Sequence, residues 1–339
     1  MRQPRSESAF DYRLNFAALA AAAVMAAAVA PPVAMAQEYP DRAIRVIVPY
    51  PPGGPTDTLA RALGEGFRER TKYGFVIENR PGANTGLGGL ACKQSTPDGY
   101  TLCFLASTTV SLNPHLYANL RYTPADFAPV SNVATTRAIF LVNKGIPAAN
   151  LKEFVEYTKK NPEKMNFGSF GLGGETHLMI EWLKSKTGAV MTHVPFTGFA
   201  PAIQAFDRGD IQVMAPIAVP PILDRMEKKQ ATGMFILGDN RADNVPDLPS
   251  VRDLGLPAIG FNTWFGMLAP AGTPKDRIEK ASAIIREVVA QKEFVAKFMT
   301  NSGFVPEAGT PEEFRKFLEN DYIKAGELVK LSGVKLSAE

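Results

Sequence analysis

Residues 49–57 read Pro-Tyr-Pro-Pro-Gly-Gly-Pro-Thr-Asp, between a β-branched run, Ile44–Val48, and an amphipathic stretch. Such a segment turns a strand into a helix, and its chemistry suits anion binding. Gly53 and Gly54 remove the Cβ atoms that would keep a ligand off the backbone, while Pro55 fits the first helical position. Free N–H groups and the positive end of the helix dipole favour negative charge there. Pro52 completes the turn and Thr56 adds a hydroxyl donor. Asp57 caps the helix or orients the loop, its own charge opposing direct contact with a carboxylate. The alternative is an ordinary Gly-Pro turn.

Two more loops offer donors of the same kind. Ser107, Thr108, Thr109, Ser111 and Asn113 follow the run 101–105 and present hydroxyls and an amide, groups that also commonly satisfy local backbone. Residues 168–177 place Ser169, Phe170, Gly171, Gly173, Gly174, Thr176 and His177 between a strand and a helix. This third loop lacks the G-x-G-x-x-G spacing of a dinucleotide site and the Lys of a phosphate loop.

Catalytic sets are thin. The histidines are His115, His177 and His193, and no H-E-x-x-H or G-x-S-x-G occurs, so zinc-protease and serine-hydrolase templates have no anchor. His177, in a first helical turn, is either a ligand contact or structural. Cys92 and Cys103 carry no nucleophile motif; they close a disulfide or stay buried as thiols. No metal, cofactor or enzymatic activity is expected.

Positioning these loops requires an alternating body. Helical periodicity at 56–70, 86–93, 151–160, 176–186, 200–207 and 221–229 alternates with extended runs at 44–48, 75–77, 101–105, 165–167, 191–194, 211–215 and 234–237. Two extended runs meet around Thr135 and Thr136, another strand spans 263–268, and two or three helices fill 275–331. The pattern implies an α/β fold of two lobes, each a mainly parallel sheet flanked by helices, with a ligand cleft between them and crossings near 131–142 and 261–269.

Arg2, Arg5 and Arg13, an apolar run over 16–30 and Ala34-Met35-Ala36 read as a secretory signal covering 1–36, with an N-terminal anchor as the alternative. The run is short against the roughly 20 residues of a membrane span, and no second one occurs, so the mature chain from Gln37 is expected to be soluble. Removing the signal lowers the formal charge from +3 to +2, since it carries Arg2, Arg5, Arg13, Glu7 and Asp11. No basic stripe remains for nucleic acid. With 45% hydrophobic residues the chain has enough apolar content for real cores.

Ordered tags then accumulate: Tyr39-Pro40, the loop 51–57, Glu78-Asn79-Arg80-Pro81-Gly82-Ala83, Pro97-Asp98-Gly99-Tyr100-Thr101-Leu102, Asn113-Pro114, Asp126-Phe127-Ala128-Pro129-Val130, His193-Val194-Pro195-Phe196, Trp264-Phe265-Gly266 and Ala269-Pro270-Ala271-Gly272-Thr273-Pro274. On these the chain resembles the tripartite tricarboxylate transporter substrate-binding (Bug) family. The resemblance implies a periplasmic type II-like clamp with a discontinuous first lobe, 37–135 plus 265–339, and a second lobe over 136–264. It further implies an organic acid held by backbone amides and hydroxyls of Pro52, Gly53, Gly54, Thr56, Asp57, Ser107, Thr108 and Thr109. Ser169, Phe170, Gly171, Thr176 and His177 would close on it from the second lobe. Membrane transporter components are the implied partners of an expected monomer.

Many relatives carry an acidic or amide residue where this chain has Ala215-Pro216-Ile217. With Phe170 and Phe196, that departure implies an apolar pocket. The expected ligand is therefore an aromatic or apolar-bodied carboxylate, a dicarboxylate among the options, over citrate or an amino acid. A sensory module docking on a membrane sensor fits the same features. An exported hydrolase would need a nucleophile, base or metal cluster.

Overall fold

The computed structural model describes residues 38–334 and residue 336; the expected signal segment 1–36 lies outside the described residues. The buried run β1 (Ile44–Val48) leads through the Gly-Pro turn into α1 (Pro55–Thr71), with Pro55 at the first helical position. Strand β2 (Phe75–Asn79), helix α2 (Gly86–Lys93) and the wholly buried β3 (Thr101–Ala106) follow. A π-helical turn over Thr108–Leu112 runs into the short α3 (Asn113–Leu116), and β4 (Phe127–Thr136) ends the first stretch.

Arg137 alone separates β4 from β5 (Ala138–Asn143), which belongs to a different sheet. The second stretch continues with α4 (Leu151–Lys160), β6 (Asn166–Ser169), α5 (Glu175–Thr187), β7 (Thr192–Pro195), α6 (Phe199–Arg208), β8 (Val213–Met214), α7 (Pro220–Glu227) and β9 (Ala231–Leu237). Strand β10 (Trp264–Pro270) returns to the first sheet. Helix α8 (Lys275–Val289), the short α9 (Lys292–Phe294), β11 (Phe304–Pro306) and α10 (Pro311–Ser332) complete the order.

The first sheet runs β11-β4-β10-β3-β1-β2 and the second β7-β6-β8-β5-β9. Parallel pairing holds where a helix makes the crossover: β1 with β2 and β3, and β6 with β7 and β8. The sheets are nonetheless mixed, because β10 runs antiparallel to β3 and β4, and β5 runs antiparallel to β8 and β9. The reason is directional. The chain leaves the first sheet along β4 and comes back along β10, so these neighbours point opposite ways. Strand β11 was not expected; three residues beside Pro306 give no period-2 signal.

Helix α10 is shared. A capping box starts it, the Thr310 hydroxyl accepting from Glu313 N–H and the Glu313 carboxylate from Thr310 N–H. Its first turns press Phe314 edge-on against Trp264, 5.3 Å between ring centres, and onto Gly266, where a Cβ would meet the Phe314 ring at 2.3 Å. Its last turns bury Ala325, Leu328 and Val329 in the core that holds Phe140, Phe167, Leu178 and Trp182 of the second stretch. Cys92 of α2 and Cys103 of β3 are joined by a disulfide, Cα–Cα 6.0 Å, in the buried core beneath the first sheet. Closing a loop of separation 11 stabilises by about 3 kcal/mol in the chain-entropy view. The double variant Cys92→Ala/Cys103→Ala should therefore lose about that much unfolding free energy in guanidinium titration, with an m-value no smaller than the parent's because its unfolded chain is no longer cross-linked.

Candidate functional site

Because β1 and β3 are parallel neighbours, the turns that follow them open on the same sheet edge. After β1, Pro52 and Gly53 are exposed, Gly54 is half-buried, and Thr56 and Asp57 are buried. Gly53 adopts φ +82°, a left-handed conformation that favours glycine. The Asp57 carboxylate is fully engaged: it accepts from Gly53 N–H at 2.9 Å, from Arg61 Nε and Nη2 at 2.9 and 3.0 Å, and from Asn79 Nδ2 at 2.8 Å. Burial alone would raise this carboxyl, but the hydrogen bonds from Arg61, Gly53 and Asn79 outweigh it and hold it below its ordinary value. Asp57 is thus the residue that sets the loop.

Ser107, Thr108 and Thr109 are all buried at the end of β3. They diverge in role. Thr108 lies beside the Tyr50 phenol, which burial and then the Glu175 charge push well above its usual range. Thr109 turns away, donating to the Thr85 hydroxyl at 2.8 Å while its carbonyl accepts from Tyr122. Ser107 reaches out of its own sheet and donates to Glu175 Oε1 at 3.0 Å, in the first turn of α5.

The loop after β6 is held internally. The Ser169 hydroxyl donates to Gly171 carbonyl at 2.8 Å and lies 2.7 Å from His193 Nε2, while His177 Nδ1 accepts from Gly173 N–H at 3.0 Å. The His177 and His193 rings stack at 3.6 Å, 9° from parallel. Burial lowers His177 to about 3, aided by His193 and Lys184, and lowers His193 to about 4, aided by Lys184. A serine beside a histidine invites a nucleophilic reading. His193, however, is a weak base at that value, and its other partner is a second histidine, where nucleophilic sites place an orienting third group. Phe170 packs on Phe199, ring centres 5.8 Å apart, and Thr176 is half-buried.

The structure adds residues that the sequence reading passed over. Ala83, Asn84 and Thr85 all take positive φ, at 46°, 48° and 69°. Such conformations cost about 1 kcal/mol or more each and concentrate at ligand clamps. Asn113 Nδ2 donates to the Asn84 carbonyl at 2.8 Å and holds the turn. Asn84 then packs on the second-sheet loop, where a Cβ on Gly171 would come within 3.3 Å of its Oδ1. Asp321 of α10 accepts from Ser111 and Trp264 Nε1, and burial raises its carboxyl to about 6 against those two hydrogen bonds. The family tag 78–83 ends inside this turn; Gly82 and Asn84 are residue types that favour a left-handed backbone, whereas Ala83 and Thr85 are not. His115 lies elsewhere, against the Tyr322 carbonyl.

Two mixed α/β sheets, with glycine- and hydroxyl-bearing turns from one facing those of the other, are the architecture of the periplasmic binding-protein class. Residues 59–334 match the model of the tripartite tricarboxylate transporter family receptor (TctC), and the chain belongs to that family. It is 30% identical over 319 residues to Protein BugT of Bordetella pertussis, covering 92% of this chain and 96% of that one. Among solved structures it is similar to R. palustris Rpa4515 with adipate (TM-score 0.81, 25% identity, 88% of this chain and 99% of that one). It is similar too to MatC from Rhodopseudomonas palustris with bound malate (TM-score 0.77, 27% identity, 86% and 100%). The protein is a solute-binding receptor of this family.

The stacked histidines give a signed pH dependence. Unfolded, each titrates at 6.5; folded, both are held neutral far below that. Their contribution is complete above pH 6.5 and is lost as pH falls towards about 3. Replacing buried His177 by Gln, which keeps an acceptor for Gly173, should flatten the fall of the unfolding free energy between pH 6 and 4, by up to about 1.4 kcal/mol per pH unit. An identical profile in the variant would contradict this.

Proposed function

We propose that the protein captures a small, apolar-bodied organic carboxylate in the periplasm, closes two lobes on it, and hands it without chemical turnover to the membrane components of a tripartite tricarboxylate-type transporter. The lobes would be 37–135 with 265–339, and 136–264, α10 being shared. The observation that carries this reading is the donor set. In the 52–56 turn Gly53 gives its N–H to Asp57, which leaves those of Gly54 and Thr56; with the hydroxyls of Thr56, Ser107 and Thr108 they follow the parallel strands β1 and β3, and Ser107 reaches Glu175 in the loop 169–177. The nearby arginines are already engaged, Arg61 by Asp57 and Arg45 and Arg80 by Glu78.

Uncharged donors neutralise an anion in part and avoid the desolvated ion pair that would slow release, which suits a carrier. The adipate and malate of the two solved relatives support a carboxylate. Half-buried Phe170, Phe196, Phe199 and Ile217 gather on one apolar cluster beside the second loop, which supports an apolar body. The basic, then apolar, signal segment supports export. Closure would turn on the strands that pass between the sheets, with ligand favouring the closed state.

The test is thermal unfolding of the mature protein against aliphatic and aromatic mono-, di- and tricarboxylates. A ligand at 100 times its dissociation constant adds about 2.7 kcal/mol and should raise the midpoint by several degrees. Gly54 has φ −77° and only the Pro51 carbonyl, at 3.7 Å, near a built Cβ, so valine there meets open space where a ligand would approach. Gly54→Val should weaken binding at least about tenfold while leaving the ligand-free midpoint nearly unchanged. No shift with any acid, or normal binding by the variant, would contradict the anion site.

A further inference from the structure

Glu175 stands in the first turn of α5, half-buried, and its Oε1 accepts from the Ser107 hydroxyl at 3.0 Å across the two sheet edges. The other acids around the site are fully partnered. Asp57 is held by Arg61, Gly53 and Asn79, and Asp321 by Ser111 and Trp264. Glu175 has no ion pair among the described residues, and Ser107 is its one hydrogen-bond partner there. The α5 N-terminus offsets part of its charge. The remainder is felt at Tyr50 in the first loop and at Asp321 beneath the site. A fixed carboxylate therefore sits where a ligand must enter.

Its partner sharpens the point. Ser107 is one of the neutral donors that a ligand carboxylate would take. A second carboxylate on that ligand, within about 5 Å of Glu175 at an effective dielectric near 20, is disfavoured on the order of 100-fold. An N–H donor in the same place is favoured. We propose that Glu175 is the specificity-determining residue of this cleft. A ligand inserts between Ser107 and Glu175, its carboxylate accepting from Ser107 and an N–H of the same molecule donating to Glu175. One hydrogen bond across the cleft is thereby replaced by two.

This rests on the carboxylate reading above and narrows it to acids bearing an ammonium or amide nitrogen. It also departs from the dicarboxylate and non-amino-acid expectation drawn from the sequence. The apolar body is retained, since Phe170 and Phe199 belong to the apolar cluster beside the second loop.

The experiment is calorimetric titration of the mature wild type and Glu175→Gln with matched probes. These are adipate, 6-aminohexanoate and the monoamide of adipic acid, with succinate, 4-aminobutanoate and leucine covering shorter spacings. Wild type should bind an ammonium-bearing acid on the order of 100-fold more tightly than the dicarboxylate of equal length. Glu175→Gln should lose about tenfold or more for ammonium ligands and gain about tenfold for the dicarboxylate, with the monoamide little changed. Ser107→Ala, which removes the donor and keeps the charge, should weaken all probes while leaving their rank intact. If Glu175→Gln melts early, Glu175→Ser gives the same readout. A rank order that Glu175→Gln leaves unchanged, or a wild type that prefers dicarboxylates, overturns the role of Glu175 alone. A wild type that binds none of the acids in this set, nor any in the wider thermal panel, overturns the carboxylate reading and this proposal together.

Discussion

A hydrogen bond from the Ser107 hydroxyl to the Glu175 carboxylate joins the edges of two sheets, and the candidate site exists because those edges face one another. Parallel pairing puts the turns after β1 and β3 on one edge, and the turn after β6 supplies the other. Chain continuity brings the edges together. One residue, Arg137, separates β4 in the first sheet from β5 in the second, and β10 brings the chain back beside β4. Helix α10 then packs on both, with Asp321 taking hydrogen bonds from Ser111 and Trp264 midway along its length. A change in the angle between the sheets must pass through these few elements.

Around that contact, charge is handled by partition. The acids that shape loops are tied to donors, and Asp57 orders the first turn. The histidines of the second loop are kept neutral by burial and used as rigid acceptors and stacking plates, Gly173 N–H onto His177 and His177 onto His193. Between the two edges a neutral donor, Ser107, meets a carboxylate, Glu175, that has no ion pair among the described residues. That combination suits reversible capture of a small acid better than covalent chemistry, for which the nearest pair, Ser169 and His193, has too weak a base.

Much of this was legible in the residues. Most strands and helices fell within one or two residues of their positions, although β9 begins at Ala231, three residues before the run read at 234–237; α2 and α4 matched at both ends, because their apolar spacing and Gly or Asn flanks are local signals. The three strand-to-helix loops were legible for the same reason, each lying between a β-branched run and a helical one. Long-range facts were not. The antiparallel return of β10 depends on the path of the whole chain. The left-handed run at Ala83–Thr85 is imposed by Asn113 and by the opposing glycine loop. Thr109 reads like Ser107 in sequence, yet one turns to Thr85 and the other to Glu175, 68 residues away. No local pattern separates them. Glu175 itself stood inside a loop already recognised, its role hidden until Ser107 was seen opposite.

Small-angle X-ray scattering of the mature protein, free and saturated with an acid that raises its melting midpoint, tests most directly whether the facing edges close on a ligand. Closure about the Arg137 and β10 crossings, from a free form in which Ser107 and Glu175 are apart, predicts a smaller radius of gyration and a loss of long interatomic distances when the acid is bound. Superimposable profiles in the two states would contradict it and leave a preformed, rigid site in place of a clamp.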